Sequence, residues 1–275
     1  MILNITEFNC KQIADSGQCF RMYEISHDHY GVPASDRFVE IIQHSPEQIE
    51  FLCTENEFET FWSAYFDLKY DYAALIESIN MGTDVFLKNA VSFGYGIRIL
   101  RQDPFEAMIS FILSQNKNIP AIRQCVEGLC QTFGHQIATD SAGTPVYSFP
   151  TPKSLVKADM AVLRQLKAGY RDQYILNAAA AVQNGSLNLD FLLNVPAETA
   201  KKELLKIHGI GEKVANCILL FGLHQIDVYP IDVWVRRILD EIYHGNFDPA
   251  QYSGHAGIIQ QYQFYYMRNG YLNKT

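Results

Sequence analysis

Cysteine is scarce in this 275-residue chain. The six present, Cys10, Cys19, Cys53, Cys125, Cys130 and Cys217, form no CxxC pair and stand near no regular histidine spacing, so a zinc site is not expected and thiols in a reducing cytoplasm are. Long apolar runs are missing too: nothing approaches 18 uninterrupted apolar residues, and the opening MILNITEFNCKQIADSG has no basic start followed by an apolar stretch. Neither a membrane span nor export is expected, which predicts an intracellular protein. Internal repeats and low-complexity tracts are also lacking. What remains, 48% hydrophobic and 19% charged, is enough for one large or two modest domains with a proper core, and it excludes a disordered chain.

Positive charge is in short supply as well. There are 22 Lys and Arg against 30 Asp and Glu, a net charge of −8, the wrong sign for a simple nucleic-acid binder. The deficit is local: residues 1–106 hold 7 basic and 17 acidic side chains, whereas 107–275 hold 15 and 13. Two regions with different electrostatic tasks would explain this, and so would an uneven solvated surface.

The N-terminal residues read as strands at 19–26 (CFRMYEIS), 37–43 (RFVEIIQ) and 48–53 (QIEFLC), rich in β-branched and aromatic side chains and separated by Ser, Gly, Pro and Asp. Short runs with tight polar connections predict a small antiparallel sheet. From Asn56 the spacing turns helical, with Phe58, Phe61, Trp62, Tyr65 and Phe66, then Tyr72, Leu75, Ile76 and Ile79, recurring every three or four residues. Further helices are expected at 104–114, 121–133, 154–166 and 174–183, with loops at 143–152 (GTPVYSFPTP) and 185–196. The predicted architecture is α+β: a small antiparallel sheet domain over residues 1–106 and an all-α domain over 107–275.

Residues 197–223, AETAKKELLKIHGIGEKVANCILLFGL, are two helical patterns broken by His208-Gly209-Ile210-Gly211. Two glycines flanking one apolar residue allow a hairpin tight enough for backbone N–H groups to meet a phosphate beside the positive end of the second helix. GIGEKV lacks the third glycine of a dinucleotide fingerprint and the Lys-Ser/Thr ending of a phosphate loop. A plain helix-turn-helix corner with glycine as C-cap is the competing reading. Lys213 sits in the first turn of the second helix, where a cation opposes the macrodipole; an amine there, if also partly desolvated, is suited to nucleophilic attack. Asp232 follows a Tyr-Pro-Ile turn and precedes VWVRRILDEIY, so it reads as a helix N-cap, a role compatible with catalysis.

With Lys213 and Asp232 placed around it, the helix-hairpin-helix resembles the base-excision DNA glycosylase superfamily, in its bifunctional branch that couples glycosidic cleavage to a lyase step. No cysteine follows Cys217, which departs from the branch carrying an iron-sulfur cluster. Further stretches resemble the 8-oxoguanine DNA glycosylase family: SGQCFR (16–21), SQNKNI (114–119) followed by VEGLCQTFG (126–134), GYRDQY (169–174), and the segment from Ala256-Gly257 through Gln260 and Phe264.

The resemblance implies a set of roles. His208, Gly209 and Gly211 would grip the DNA backbone. Tyr170 would wedge beside the lesion, and Arg171 would contact the estranged base. Asn116, with Asn118 beside it, would meet the DNA and fill the vacated space. Gly17 would offer a backbone carbonyl to the N7–H that oxidation creates on guanine. Cys217 and Phe264 would sandwich the base, while Gln260 read its Watson-Crick edge. Lys213 would attack the sugar C1′ and Asp232 would stabilise positive charge on the sugar. No metal or redox cofactor is expected, and the partner is damaged double-stranded DNA bound by a monomer, in the nucleoid if the source is bacterial.

Three positions depart from the family pattern: Ala121 replaces an arginine that helps recognise cytosine, Trp234 a histidine, and Met267 a polar partner. Two other readings fit the same residues, a glycosylase for other damaged bases and a non-catalytic DNA-binding protein in which Lys213 only contacts phosphate.

Overall fold

Residues 1–271 are described by the computed structural model. Strands β1 (Ile2–Asn4), β2 (Tyr23–Ser26), β3 (His29–Ala34), β4 (Arg37–Ser45) and β5 (Gln48–Phe51) form one antiparallel sheet in the order β1–β5–β4–β3–β2. One sheet face turns inward because alternate residues are apolar: Val39, Ile41, Ile49 and Phe51 are all buried. They meet α1 (Cys10–Asp15) and an aromatic cluster of Phe8, Phe58, Trp62 and Phe66. The last three come from helical residues 55–65, in which α2 (Glu55–Glu57) and α3 (Ser63–Tyr65) bracket a π-helical turn, and from the residue that caps them.

Helices α4 (Tyr72–Met81), α5 (Val85–Phe93), α6 (Pro104–Ser114) and α7 (Ile119–Phe133) follow, then a hairpin of β6 (Gln136–Thr139) and β7 (Pro145–Tyr147). The remainder is α8 (Pro152–Leu155), α9 (Met160–Gln165), α10 (Asp172–Gln183), α11 (Leu189–Leu193), α12 (Ala197–Leu204), α13 (Glu212–Phe221), α14 (Val233–Arg237) and α15 (Ala256–Tyr266). α6 is the central helix, buried from Phe105 to Leu113. α13 packs on it with Phe111 and Phe221 stacked at 5.3 Å. Helices α4 and α5, although they precede residue 106, bury Tyr72, Leu75, Leu87 and Ala90 in this second core. No described helix is long and apolar enough to cross a membrane.

The α+β architecture stands, with local corrections. Residues 19–22 are not strand. They are buried but irregular, and sheet pairing starts only at Tyr23; just before them the Gln18 side chain bonds the 98–100 segment, its Oε1 accepting from Leu100 N at 2.8 Å and its Nε2 donating to Arg98 O at 2.8 Å. β3 escapes prediction because Gly31 and Pro33 interrupt it, and β1 and α1 because they are short. The expected helix 154–166 is two helices, since Asp159 starts a new one by accepting from Ala161 N. The helical domain is not all-α: β6 and β7 form a hairpin within it, and α11 occupies part of the predicted loop 185–196. That hairpin docks on the sheet through Tyr23 Oη–Asp140 Oδ2 at 2.9 Å and Ser141 N–Glu40 Oε1 at 2.7 Å.

Candidate active site

The hairpin takes its shape from its glycines. Gly209 has φ +101°, and a Cβ there would lie 2.3 Å from Tyr174 Cγ, so only glycine fits. Gly211 is different: its φ is −96°, and the space where a Cβ would stand is open. It is the N-cap of α13 and offers no side chain to the first-turn amides, which leaves that helix end available to an anion.

Lys213 belongs to that first turn. It is half-buried, with Nζ 5.6 Å from the centroid of the Phe111 ring. One turn on, Cys217 is buried, and burial pushes its thiol up while Lys213 pulls it down. Asp232 caps α14 with one oxygen: Oδ1 accepts from Trp234 N at 3.0 Å and Val235 N at 2.8 Å. Burial raises its carboxyl above the ordinary value, opposed by these amides and by the Lys213 charge. The two groups are thus electrostatic neighbours brought together from separate helices.

They line a cavity of about 990 Å³ whose wall also includes Gly17, Asn116, Asn118, Cys217, Gln260 and Phe264. Eight of the residues singled out in the sequence therefore meet in one place. Gln260 and Phe264 share a face of α15, and Gln260 is 4% exposed with its Oε1 buried and lacking any donor. Gly17 faces the Phe264 ring. The carbonyls around it are taken: Asp15 O by Arg268, Ser16 O by Gln261 and Gln18 O by Gln102. Among the described residues no donor reaches Gly17 O. Two unanswered acceptors therefore belong to residues of a cavity that is otherwise largely apolar.

Gly17 also has φ +79°, and an added Cβ would lie 3.2 Å from Ile119 Cδ1 and 3.3 Å from Phe264 Cε1. Gly17→Ala should lose about 1–2 kcal/mol of stability from the left-handed backbone alone. It should also displace the Phe264 ring. Chemical denaturation checks the first effect; unchanged stability would contradict this geometry.

Tyr170, Arg171 and His208 lie outside the cavity wall. Tyr170 is exposed, at the tip of a turn over Gly169–Arg171. Arg171 is buried, its guanidinium 4.3 Å from the Tyr170 ring centroid, donating to Ala168 O at 3.1 Å and to Gln115 O. Contact with a base would require it to leave those carbonyls. Asn118 lines the wall, but its side chain caps α7 by accepting from Ala121 N at 3.0 Å. His208 stands edge-on to Tyr174 at 5.0 Å.

Phe111, Gln115, Lys117, Arg236 and Arg268 also line the cavity, and sequence reasoning missed them. Gln115 and Lys117 lie inside the SQNKNI stretch, beside its asparagines, with no local pattern of their own. The arginines carry no local pattern that separates them from surface charge. Among the described residues no group of His, Cys, Asp and Glu has the arrangement of a metal site.

Comparison with known proteins agrees with this geometry. The sequence model of the 8-oxoguanine DNA glycosylase N-terminal domain matches residues 1–108, and that of HhH-GPD superfamily base excision DNA repair proteins matches residues 109–252. An N-glycosylase/DNA lyase of Saccharomyces cerevisiae is 30% identical over 268 residues, covering 88% of this chain and 70% of that protein. The solved structure of MBOgg1 with a low affinity DNA ligand superposes with a TM-score of 0.89 at 37% identity, covering 97% of this chain and 94% of the other. So does the Clostridium acetobutylicum 8-oxoguanine glycosylase/lyase in complex with double-stranded DNA bearing cytosine opposite 8-oxoG, with a TM-score of 0.89 at 33% identity over 98% and 94% of the two chains.

Proposed function

This chain belongs to the 8-oxoguanine DNA glycosylase family of the HhH-GPD superfamily, and from that membership and the cavity together we propose how it acts as a bifunctional glycosylase and lyase on 8-oxoguanine in duplex DNA. The observation that carries the reading is the pair of unanswered acceptors, Gly17 O and Gln260 Oε1, on residues that line the same cavity as Lys213 and Asp232. Guanine presents an acceptor at N7, whereas 8-oxoguanine presents N7–H. A carbonyl at Gly17 rewards the second and repels the first. Gln260 Oε1 accepts from the N–H groups of the Watson-Crick edge. Phe264 and Cys217 supply flat and compact apolar walls for the two ring faces.

The base must leave the helix to enter this cavity. The hairpin amides hold the backbone without reading sequence, Tyr170 wedges beside the lesion, and Asn116 fills the gap. The Lys213 nitrogen forms a bond to C1′ as the glycosidic bond breaks and its electron pair leaves with the base. Asp232 stabilises positive charge on the sugar and receives the proton from the attacking nitrogen. Ring opening gives a Schiff base, which acidifies the C2′ proton. Loss of that proton expels the 3′ phosphate and cuts the strand. A single chain suffices for each step, so the enzyme acts as a monomer.

Incubation with duplexes containing one 8-oxoguanine or one guanine tests the reading. Free 8-oxoguanine and a nicked strand should appear from the first duplex alone; equal release from both would overturn it. The Ala121 position adds a second expectation. Alanine has no donor for the opposite base, so cleavage rates opposite C, A, G and T should be comparable. Strong selectivity for cytosine would sink this prediction and show that another residue reads the opposite base.

A further inference from the structure

Three parts of the DNA-binding surface that are far apart in sequence meet at one side chain. Gln115 closes α6, and its Nε2 donates to Gly209 O in the hairpin at 3.0 Å and to Ile112 O at 3.2 Å. Its own carbonyl accepts from Arg171, whose guanidinium lies against Tyr170. The next residue is Asn116, held at φ +50°, a left-handed conformation that asparagine tolerates better than most side chains.

The hairpin peptide between Gly209 and Ile210 is consequently fixed at both ends. Gln115 holds its oxygen, and its N–H donates to Ile207 O at 3.0 Å. Tyr174 completes the circuit: it packs under Gly209, stands edge-on to His208, and meets Tyr170 at 5.8 Å. A second brace runs parallel to the first. Lys117 Nζ donates to Lys167 O, in the turn before the wedge, and Cys125 Sγ reaches the same oxygen at 3.4 Å.

We propose that Gln115 is a positioning residue that couples the phosphate grip of the hairpin to extrusion of the base, by tying Gly209, Arg171 with Tyr170, and Asn116 into one rigid unit. This rests on the glycosylase reading above. A phosphate that settles on the hairpin amides then fixes where the wedge and the gap-filling asparagine stand relative to the strand. Without the tie, the grip and the wedge would bind DNA as separate loops. Although Gln115 lines the cavity, its amide nitrogen is committed to Gly209 O and Ile112 O. Its effect falls on the opening step and leaves the chemistry of Lys213 intact.

The test uses Gln115→Met, which keeps the length and removes the donor, and Gln115→Glu, which sets a carboxylate against two carbonyls. Single-turnover excision is measured on a duplex with one 8-oxoguanine. Borohydride trapping is measured on a duplex with a preformed abasic site, which contains no base to extrude. Both use saturating enzyme, and 2-aminopurine beside the lesion reports opening. Both variants should excise 8-oxoguanine about tenfold more slowly, with opening slowed in parallel, while trapping at the abasic site stays within about twofold of wild type. Unchanged excision would overturn the coupling. So would equal losses on both substrates with a lowered melting temperature, which is the mark of a merely structural role. If the wild-type enzyme neither excises 8-oxoguanine nor traps on either duplex, the glycosylase reading itself fails.

Discussion

Lys213→Gln should abolish the covalent complex that borohydride traps on 8-oxoguanine duplexes, and slow base release by about a thousandfold or more, while leaving duplex affinity nearly unchanged. Glutamine matches the length of much of the lysine side chain but has no amine to form the bond to C1′. The structure explains why binding should survive. The hairpin offers backbone amides to phosphate, and Lys213 is half-buried against Phe111, so one exposed charge is not the anchor. Gel shifts on an uncleavable duplex and trapping on a reactive one separate the two effects. If affinity falls as steeply as trapping, Lys213 is a phosphate contact and the non-catalytic alternative gains. If trapping persists, another amine is the nucleophile.

Asp232→Asn should cut the excision rate by about a hundredfold and leave the fold intact or slightly more stable. Asparagine is as good an N-cap as aspartate, and only Oδ1 serves the two amides of α14. What the substitution removes is charge. Burial raises the Asp232 carboxyl above its ordinary value, so ionisation in the folded protein is costly. The sign follows directly: this group favours folding while protonated, and its contribution is lost as pH rises from the unfolded value of 3.8 through the raised folded one. Near neutrality the ionised carboxylate therefore weakens the fold, and the neutral amide removes that penalty. Activity needs the ionised form, so the acid limb of the wild-type rate profile should lie above the ordinary carboxylate value and should be absent from the Asp232→Asn profile. A wild-type rate in the variant, or a limb at the unshifted position, would refute the role. Asp232→Ala serves as contrast, since it also loses the cap and about 1 kcal/mol of stability.

The parts of this site that could be seen in the sequence are those whose chemistry is local. The His-Gly-Ile-Gly turn, the lysine one step into the next helix, and an aspartate before an amphipathic run each state their conformation within a few residues. The four-residue spacing of Gln260 and Phe264 likewise predicts a shared helix face, and both line the cavity. What could not be seen depends on partners elsewhere in the chain. Arg171 looks like a free DNA contact until the Gln115 and Ala168 carbonyls are placed around it. Residues 19–22 look like strand, but the sheet takes up the chain only at Tyr23, where β3 lies beside it. β3 contains Gly31 and Pro33 and joins the sheet only because β2 and β4 flank it.

The bond between Gln261 and Ser16 O spans 245 positions in sequence, and Arg268 secures Asp15 O over a similar interval. The carbonyl that would distinguish an oxidised guanine is thus aligned by one of the final helices. During synthesis, Gly17 emerges almost a whole chain length ahead of the segment that orients it. Base discrimination is therefore among the last parts of the site to be completed. Loss of α15 should cost the orientation of Gly17, the aromatic wall and core packing together, because α15 is buried along nearly its whole length and Gly257 lies against Leu220 of α13.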